Sequence, residues 1–150
     1  MAVKAIPDGF HTVTPYLIVE GAARLIDFMK QAFGATAEEF MTNPDGAIMH
    51  AEARIGDSVV MLGDAMGDEH PPQPSMIYLY VEDADATYQR ALRAGATSTM
   101  EIADQFWGDR AGGVKDPTGV NWWIATHKED VPPEEMKRRA EAFMNQHAGH

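Results

Sequence analysis

The sequence predicts an α+β protein of two β-α-β-β-β modules, forming curved mixed sheets around a cleft, plus a C-terminal helix. Two observations carry this. First, Tyr16-Leu-Ile-Val-Glu20 returns as Tyr78-Leu-Tyr-Val-Glu82, an offset of 78 − 16 = 62, and Gly34-Ala-Thr36 returns as Gly95-Ala-Thr97, an offset of 95 − 34 = 61. Two matches in one order at nearly one spacing mark a duplicated unit. Second, the order of local signals is the same in both halves.

In the first half, Thr12 to Val19 reads as a strand, and Ala22 to Phe33 places Leu25, Ile26, Met29 and Phe33 at helical spacing before a stop at Gly34. Ala35 to Thr42 reads as a second strand, and Asn43-Pro-Asp-Gly46 has turn chemistry. Ile48 to Ile55 then leads through Gly56-Asp57 into Ser58 to Leu62 as a hairpin. The second half predicts strands over Met76 to Val81, Thr97 to Ile102, Trp107 to Val114 and Val120 to Ala125, with a helix over Ala84 to Ala94. A proline-rich stretch, Gly67-Asp-Glu-His-Pro-Pro-Gln-Pro74, separates the copies. The expected units are residues 1–66, a linker at 67–75, residues 76–127, and a tail over 128–150. In that tail, Pro132 to Gln146 opens with prolines and glutamates that suit a helix N-terminus, and puts Met136, Ala140 and Phe143 on one stripe.

The chain has 150 residues, 45% of them hydrophobic, which is enough for one core shared by two half-size modules. Twelve basic against 23 acidic side chains give a net charge of −11, which disfavours nucleic acid and anionic membrane surfaces. A small molecule or a protein is the expected partner. With no cysteine there is neither a disulfide framework nor a thiolate nucleophile. No apolar run approaches the roughly 20 residues needed to span a bilayer, and the first residues do not read as a signal peptide, so a cytoplasmic location is expected.

Strand alternation separates a helix-covered side of each sheet from a mixed polar and aromatic side. On the mixed side fall Thr14 and Tyr16, then Met76, Tyr78 and Tyr80, and the row His50, Glu52, Arg54. That row combines a neutral-pH base, a carboxylate and a cation, and reads either as an acid/base or carboxylate-binding group or as a solvated strand face with ion pairs. Phe106-Trp-Gly-Asp-Arg110 reads either as a pocket rim presenting Trp107 and Arg110 or as a bulge with a structural ion pair. Asn121-Trp122-Trp123 puts two indoles on opposite faces, one for the core and one for the cleft or a partner. His11, His70 and His127 fall near element ends and are expected to be exposed; His147 and His150 carry no assigned role.

The duplicated modules, the stretch Tyr16-Leu-Ile-Val-Glu-Gly-Ala-Ala-Arg-Leu-Ile-Asp-Phe28 and the late Asp116-Pro-Thr-Gly-Val-Asn-Trp-Trp-Ile124 resemble the glyoxalase, bleomycin-resistance and extradiol-dioxygenase superfamily, also called vicinal oxygen chelate. The likeness is greatest to its glyoxalase-like branch and spans roughly residues 10 to 127. It implies the fold closely and the reaction loosely, since members include lyases, isomerases, dioxygenases, thiol transferases and drug-sequestering proteins. Metal-dependent members draw their ligands from the first and last strands of each module. Carrying those positions over gives Thr14, Met61, Met76 and Trp123, none a credible ligand for a divalent ion, so no metal and no other cofactor is expected.

The leading expectation is a protein that binds a small aromatic or amphipathic molecule among Thr14, Tyr16, Met61, Met76, Tyr78, Tyr80, Trp107 and Trp123, with His50, Glu52, Arg54 and Arg110 as polar groups. The alternative is a lyase, isomerase or dioxygenase using a displaced metal or base at His50 and Glu52. A third reading is an interaction protein whose cleft is filled by its own side chains. The resemblance and the uncovered stripe of the tail helix together imply a homodimer.

Overall fold

A computed structural model describes residues 3–68, 71–73 and 75–147, without the side chains of Glu39 and Phe40. The first module runs β1 (Tyr16–Val19), α1 (Ala22–Phe33), β2 (Thr36–Thr42), β3 (Ile48–Ile55) and β4 (Ser58–Asp64). The second repeats the order as β5 (Met76–Tyr80), α2 (Ala84–Arg93), β6 (Thr97–Asp104), β7 (Asp109–Lys115) and β8 (Asn121–His127), and α3 (Pro133–His147) follows. The sheets have orders β1-β4-β3-β2 and β5-β8-β7-β6, each with one parallel pair at the first strand and antiparallel pairs elsewhere.

Register reproduces the repeat. Tyr16 lies opposite Met61 and Tyr78 opposite Trp123, so both members of the pair are shifted by 62. The anchoring of the helices repeats as well. The Asp64 carboxylate accepts hydrogen bonds from the backbone N–H of Gly21 (3.1 Å), Ala22 (2.8 Å) and Ile48 (2.8 Å), which ties the start of α1 to the end of β4. At the equivalent place, 126 − 64 = 62 residues on, the Thr126 hydroxyl accepts from Ala84 N–H at 2.8 Å and donates to the Val81 carbonyl at 2.8 Å. Side-chain oxygens thus satisfy N–H groups that the first turn of each helix leaves open. In α2, Asp83 adds an N-cap bond to Ala86 N–H.

The modules share one core. Leu25, Phe28 and Met29 of α1, Ala91 of α2, Leu62 of β4 and Val114, Trp122 and Ile124 of the second sheet are all buried in a single cluster. The helices pack against each other, and the Phe33 ring lies 4.9 Å from Trp122 across the module boundary. The core face is therefore the helix-bearing face of both sheets. Their other faces leave Tyr16, Met76 and Tyr80 exposed.

Most element boundaries fall within two residues of the sequence reading, and the largest difference is at the start of β1. β1 starts at Tyr16 rather than Thr12. Pro15 has no N–H to give a ladder, and contributes only its carbonyl, to Met61 N–H at 2.9 Å. Thr14 is therefore in the approach segment, its hydroxyl turned to the His11 carbonyl at 3.3 Å. No described helix is long and apolar enough to cross a membrane.

Candidate functional site

The second sheet gathers the richest chemistry. β5 alternates so that Ile77 and Leu79 pack on the core, and Tyr78 and Tyr80 project from the open face. On β8 the same alternation buries Trp122 and Ile124 and turns Trp123 outward beside Tyr78, the two rings stacked at 5.9 Å and 14°. Trp107, from the turn before β7, lies 6.2 Å from Trp123, and Tyr78 and Tyr80 are 5.3 Å apart. Four aromatic rings thus form a continuous wall.

Behind the wall sits Asp109, whose side chain is 1% exposed. Its Oδ2 accepts from Tyr78 Oη at 2.7 Å, Tyr80 Oη at 2.9 Å and Trp107 Nε1 at 3.1 Å. Its Oδ1 faces His127 Nδ1 at 2.8 Å, and His127 Nε2 faces Asp130 Oδ1 at 2.7 Å. A carboxylate in this position is fully satisfied, which makes its burial affordable. Burial alone pushes the Asp109 carboxyl up, but donation from His127, Tyr78, Tyr80 and Trp107 outweighs it and holds the group below its usual range. Tyr78 is pushed well above a normal phenol by burial and by its bond to Asp109. Tyr80 is raised by its bond to Asp109 and then by burial.

The geometry around His127 favours its protonated form. Both ring nitrogens face carboxylates, and only the imidazolium can donate at both. Its pKa is accordingly raised, first by Asp109 and then by Asp130. A raised folded-state value means the stabilising contribution is complete below the unfolded value of about 6.5 and is lost as pH climbs through the folded one. The wild-type protein is therefore expected to exceed a His127→Gln variant in Tm most clearly in mildly acidic buffer, with the gap narrowing toward pH 9. A gap that widens with pH would refute the imidazolium assignment.

The neighbouring turn is built to hold this arrangement. Gly108 has φ 101°, and its carbonyl accepts from the N–H groups of Lys128 and Glu129. A Cβ there would come within 2.2 Å of the Glu129 carbonyl oxygen, so only glycine fits. Arg139 of α3 bonds Glu129 at 2.9 Å and the Phe106 carbonyl at 3.2 Å, and Phe143 packs on Phe106 at 5.2 Å. These contacts dock α3 beside the aromatic wall. Glu135, held by Arg138 and Arg139, has its carboxyl lowered to about 2.

Arg110 projects from the opposite side of β7 to Asp109. It makes two bonds to Asp85 at the start of α2, at 2.7 and 3.0 Å, and one to Asp104 at 3.2 Å. Both partners hold it protonated. The structure thus places Arg110 in an ion-pair cluster on the helix-bearing side, away from Tyr78 and Trp123.

The first sheet carries the other expected group. His50 Nδ1 is 3.1 Å from Tyr16 Oη, and His50 Nε2 is 3.4 Å from Glu52 Oε2, a long contact. Met61 lies opposite both Tyr16 and Glu52 in register. Arg54 lines a shallow cavity of about 280 Å³ with Glu52, Glu38, Thr36, Asp8 and Phe10. A second cavity, of about 390 Å³, lies over Asp109, Gly108, Gln105 and Glu129. The first cavity is lined by residues of the first module, the second by residues of the second module and the segment that follows it.

Asp109 and His127 are the site residues that reading the sequence missed. Asp109 was visible as the carboxylate of the Phe106–Arg110 run, but nothing in one sequence reveals that Tyr78, Tyr80 and His127 converge on it. His127 is half exposed as expected, yet engaged on both nitrogens. His70 and His150 lie outside the described residues.

The four positions implied for a metal, Thr14, Met61, Met76 and Trp123, offer a hydroxyl, two thioethers and an indole, a donor set that does not fit a hard or borderline divalent ion. Among the described residues no group of three or more His, Asp or Glu side chains is placed to hold one.

Comparison with known proteins agrees with the architecture. A sequence model of the Glyoxalase/Bleomycin resistance protein/Dioxygenase superfamily matches residues 9–124. An uncharacterized protein of Mycobacterium bovis is 38% identical over 147 residues, covering 91% of this chain and 94% of its own. An uncharacterized protein of Mycobacterium tuberculosis is also 38% identical, covering 91% of this chain and 84% of its own. Among solved structures, TioX from Micromonospora superposes with a TM-score of 0.64 at 24% identity, over 78% of this chain and 98% of that one, a likeness of fold. A Pseudomonas aeruginosa protein superposes with a TM-score of 0.62 at 25% identity, over 79% and 99%.

Proposed function

The chain belongs to the glyoxalase/bleomycin resistance protein/dioxygenase superfamily, and on that premise we propose that it binds a small planar or amphipathic molecule against the open face of its second sheet. The observation that carries this reading is the wall of Tyr78, Tyr80, Trp107 and Trp123, fixed from behind by Asp109. A half-exposed aromatic surface, with Tyr78, Tyr80 and Trp107 held by hydrogen bonds, loses little entropy on meeting a flat ligand. Titration with a panel of planar aromatics, followed by tryptophan fluorescence and thermal shift, tests it. Saturable quenching with a raised Tm, both lost in Trp123→Ala, is expected. Absence of any saturable response across the panel would sink the reading.

A second reading rests on the contacts of His50 with Tyr16 and Glu52. A base linking a phenol and a carboxylate is suited to proton transfer beside a carbonyl. It predicts turnover of a carbonyl substrate that falls sharply in His50→Ala.

The donor set argues for a protein purified without stoichiometric Zn, Ni, Fe or Mn. Elemental analysis of tag-free protein checks this, and one equivalent of metal per chain, lost on His50→Ala, would favour the second reading. Both readings leave one face of each site open. A second copy that lays its first sheet over the aromatic wall would close it, and the exposed Tyr16, Met76, Tyr80 and Phe143 are apolar surface suited to cover. Light scattering at micromolar concentration is expected to give twice the 16.5 kDa chain mass; a single chain mass would exclude the closed assembly.

A further inference from the structure

We propose that the ligand of the aromatic wall is an organic cation, a protonated or quaternary amine carried on a planar group. The inference rests on the aromatic-binding reading above and adds the sign of the charge. Three observations converge on it. Tyr78, Tyr80, Trp107 and Trp123 gather four aromatic rings on one side of the sheet, and aromatic rings attract ammonium groups through their quadrupoles. Both phenols donate their protons inward to Asp109. The Tyr80 oxygen, on a residue 63% exposed, therefore offers only lone pairs to a ligand and favours positive charge beside it.

Third, the charges around the wall favour a cation. Asp109 and Asp130 flank His127, so the trio carries one net negative charge even with the ring protonated. The cation of the adjoining run, Arg110, is turned to the opposite side and neutralised by Asp85 and Asp104. At a chain charge of −11, an anionic ligand approaches against the field and a cation along it.

The discriminating experiment compares two ligands of one shape by calorimetry at fixed salt: para-(hydroxymethyl)phenyltrimethylammonium and its uncharged isostere para-tert-butylbenzyl alcohol. The cation is expected to bind at least about tenfold more tightly, the scale of a cation–π contact in a partly desolvated site. The preference should fall to about twofold or less in Tyr80→Leu and Trp123→Leu, and survive in Tyr80→Phe, which keeps the ring. If Trp123→Leu fails to fold, Tyr80→Leu at its exposed position carries the comparison. Equal affinity for the two ligands, or tighter binding of para-hydroxymethylbenzoate, overturns the charge assignment and leaves the aromatic reading standing. No binding of any of the three overturns both. A preference unchanged by either leucine variant places the cation elsewhere and overturns the assignment to this wall.

Discussion

Replacing Trp122 with alanine is expected to remove about 3–5 kcal/mol of stability, the range for truncating a large aromatic in a packed core. Trp122 is fully buried, contacts Phe33 of the other module, and donates from Nε1 to Asp116 Oδ2 at 2.7 Å. That carboxylate also accepts from Thr118 N–H and Oγ1, both at 2.7 Å, and so holds the Asp116-Pro-Thr-Gly119 turn. The substitution therefore opens a cavity at the seam and leaves the buried Asp116 Oδ2 without its donor. Denaturant unfolding measures the loss, with an accompanying fall in Tm on the order of 10 °C. A loss below about 1 kcal/mol would mean that the modules do not depend on this shared contact.

Replacing Asp109 with alanine comes next in size, at roughly 2–4 kcal/mol. Tyr80 and His127 can turn to water and Trp107 Nε1 keeps Tyr78 Oη at 3.0 Å, but the half-buried Tyr78 hydroxyl loses its acceptor. Asp109→Asn separates packing from charge. It keeps the shape and one acceptor, so its stability loss should be smaller, and removal of the carboxylate should move the His127 pKa down toward the ordinary 6.5. An NMR titration of the His127 ring reads that directly. An unchanged His127 titration in Asp109→Asn would assign the raised value to Asp130 alone.

The fold was legible because its signals are local and doubled. The paired Tyr-Leu-x-Val-Glu and Gly-Ala-Thr segments, the stops at Gly34 and Gly95, and the Trp122/Trp123 alternation each follow from backbone periodicity, and each has its counterpart in the structure. The start of β1 was misread because β-rich composition from Thr12 outweighed the missing N–H of Pro15. The site was legible only in part, for the opposite reason. Tyr78, Tyr80, Trp107 and Trp123 were placed by alternation and composition, but their organising residue is Asp109, whose hydrogen-bond partners lie up to 31 residues away in sequence. Arg110 shows the same limit: adjacent to Asp109, it faces the other way because strand neighbours alternate, and its partner Asp85 comes from the far end of the module.

The sheet order has a consequence for how the chain reaches this state. In both modules the first strand lies at the sheet edge and its strand partner is the last, Tyr16 with Met61 and Tyr78 with Trp123, each 45 residues apart (61 − 16 and 123 − 78). The β2–β3–β4 and β6–β7–β8 meanders can close through short turns, whereas β1 and β5 must wait for a strand not yet made when they leave the ribosome. Loop closure over that span slows assembly. The earliest strand to be synthesised in each module is thus the last to be secured, and until then its partner's edge stays open to a strand from another chain.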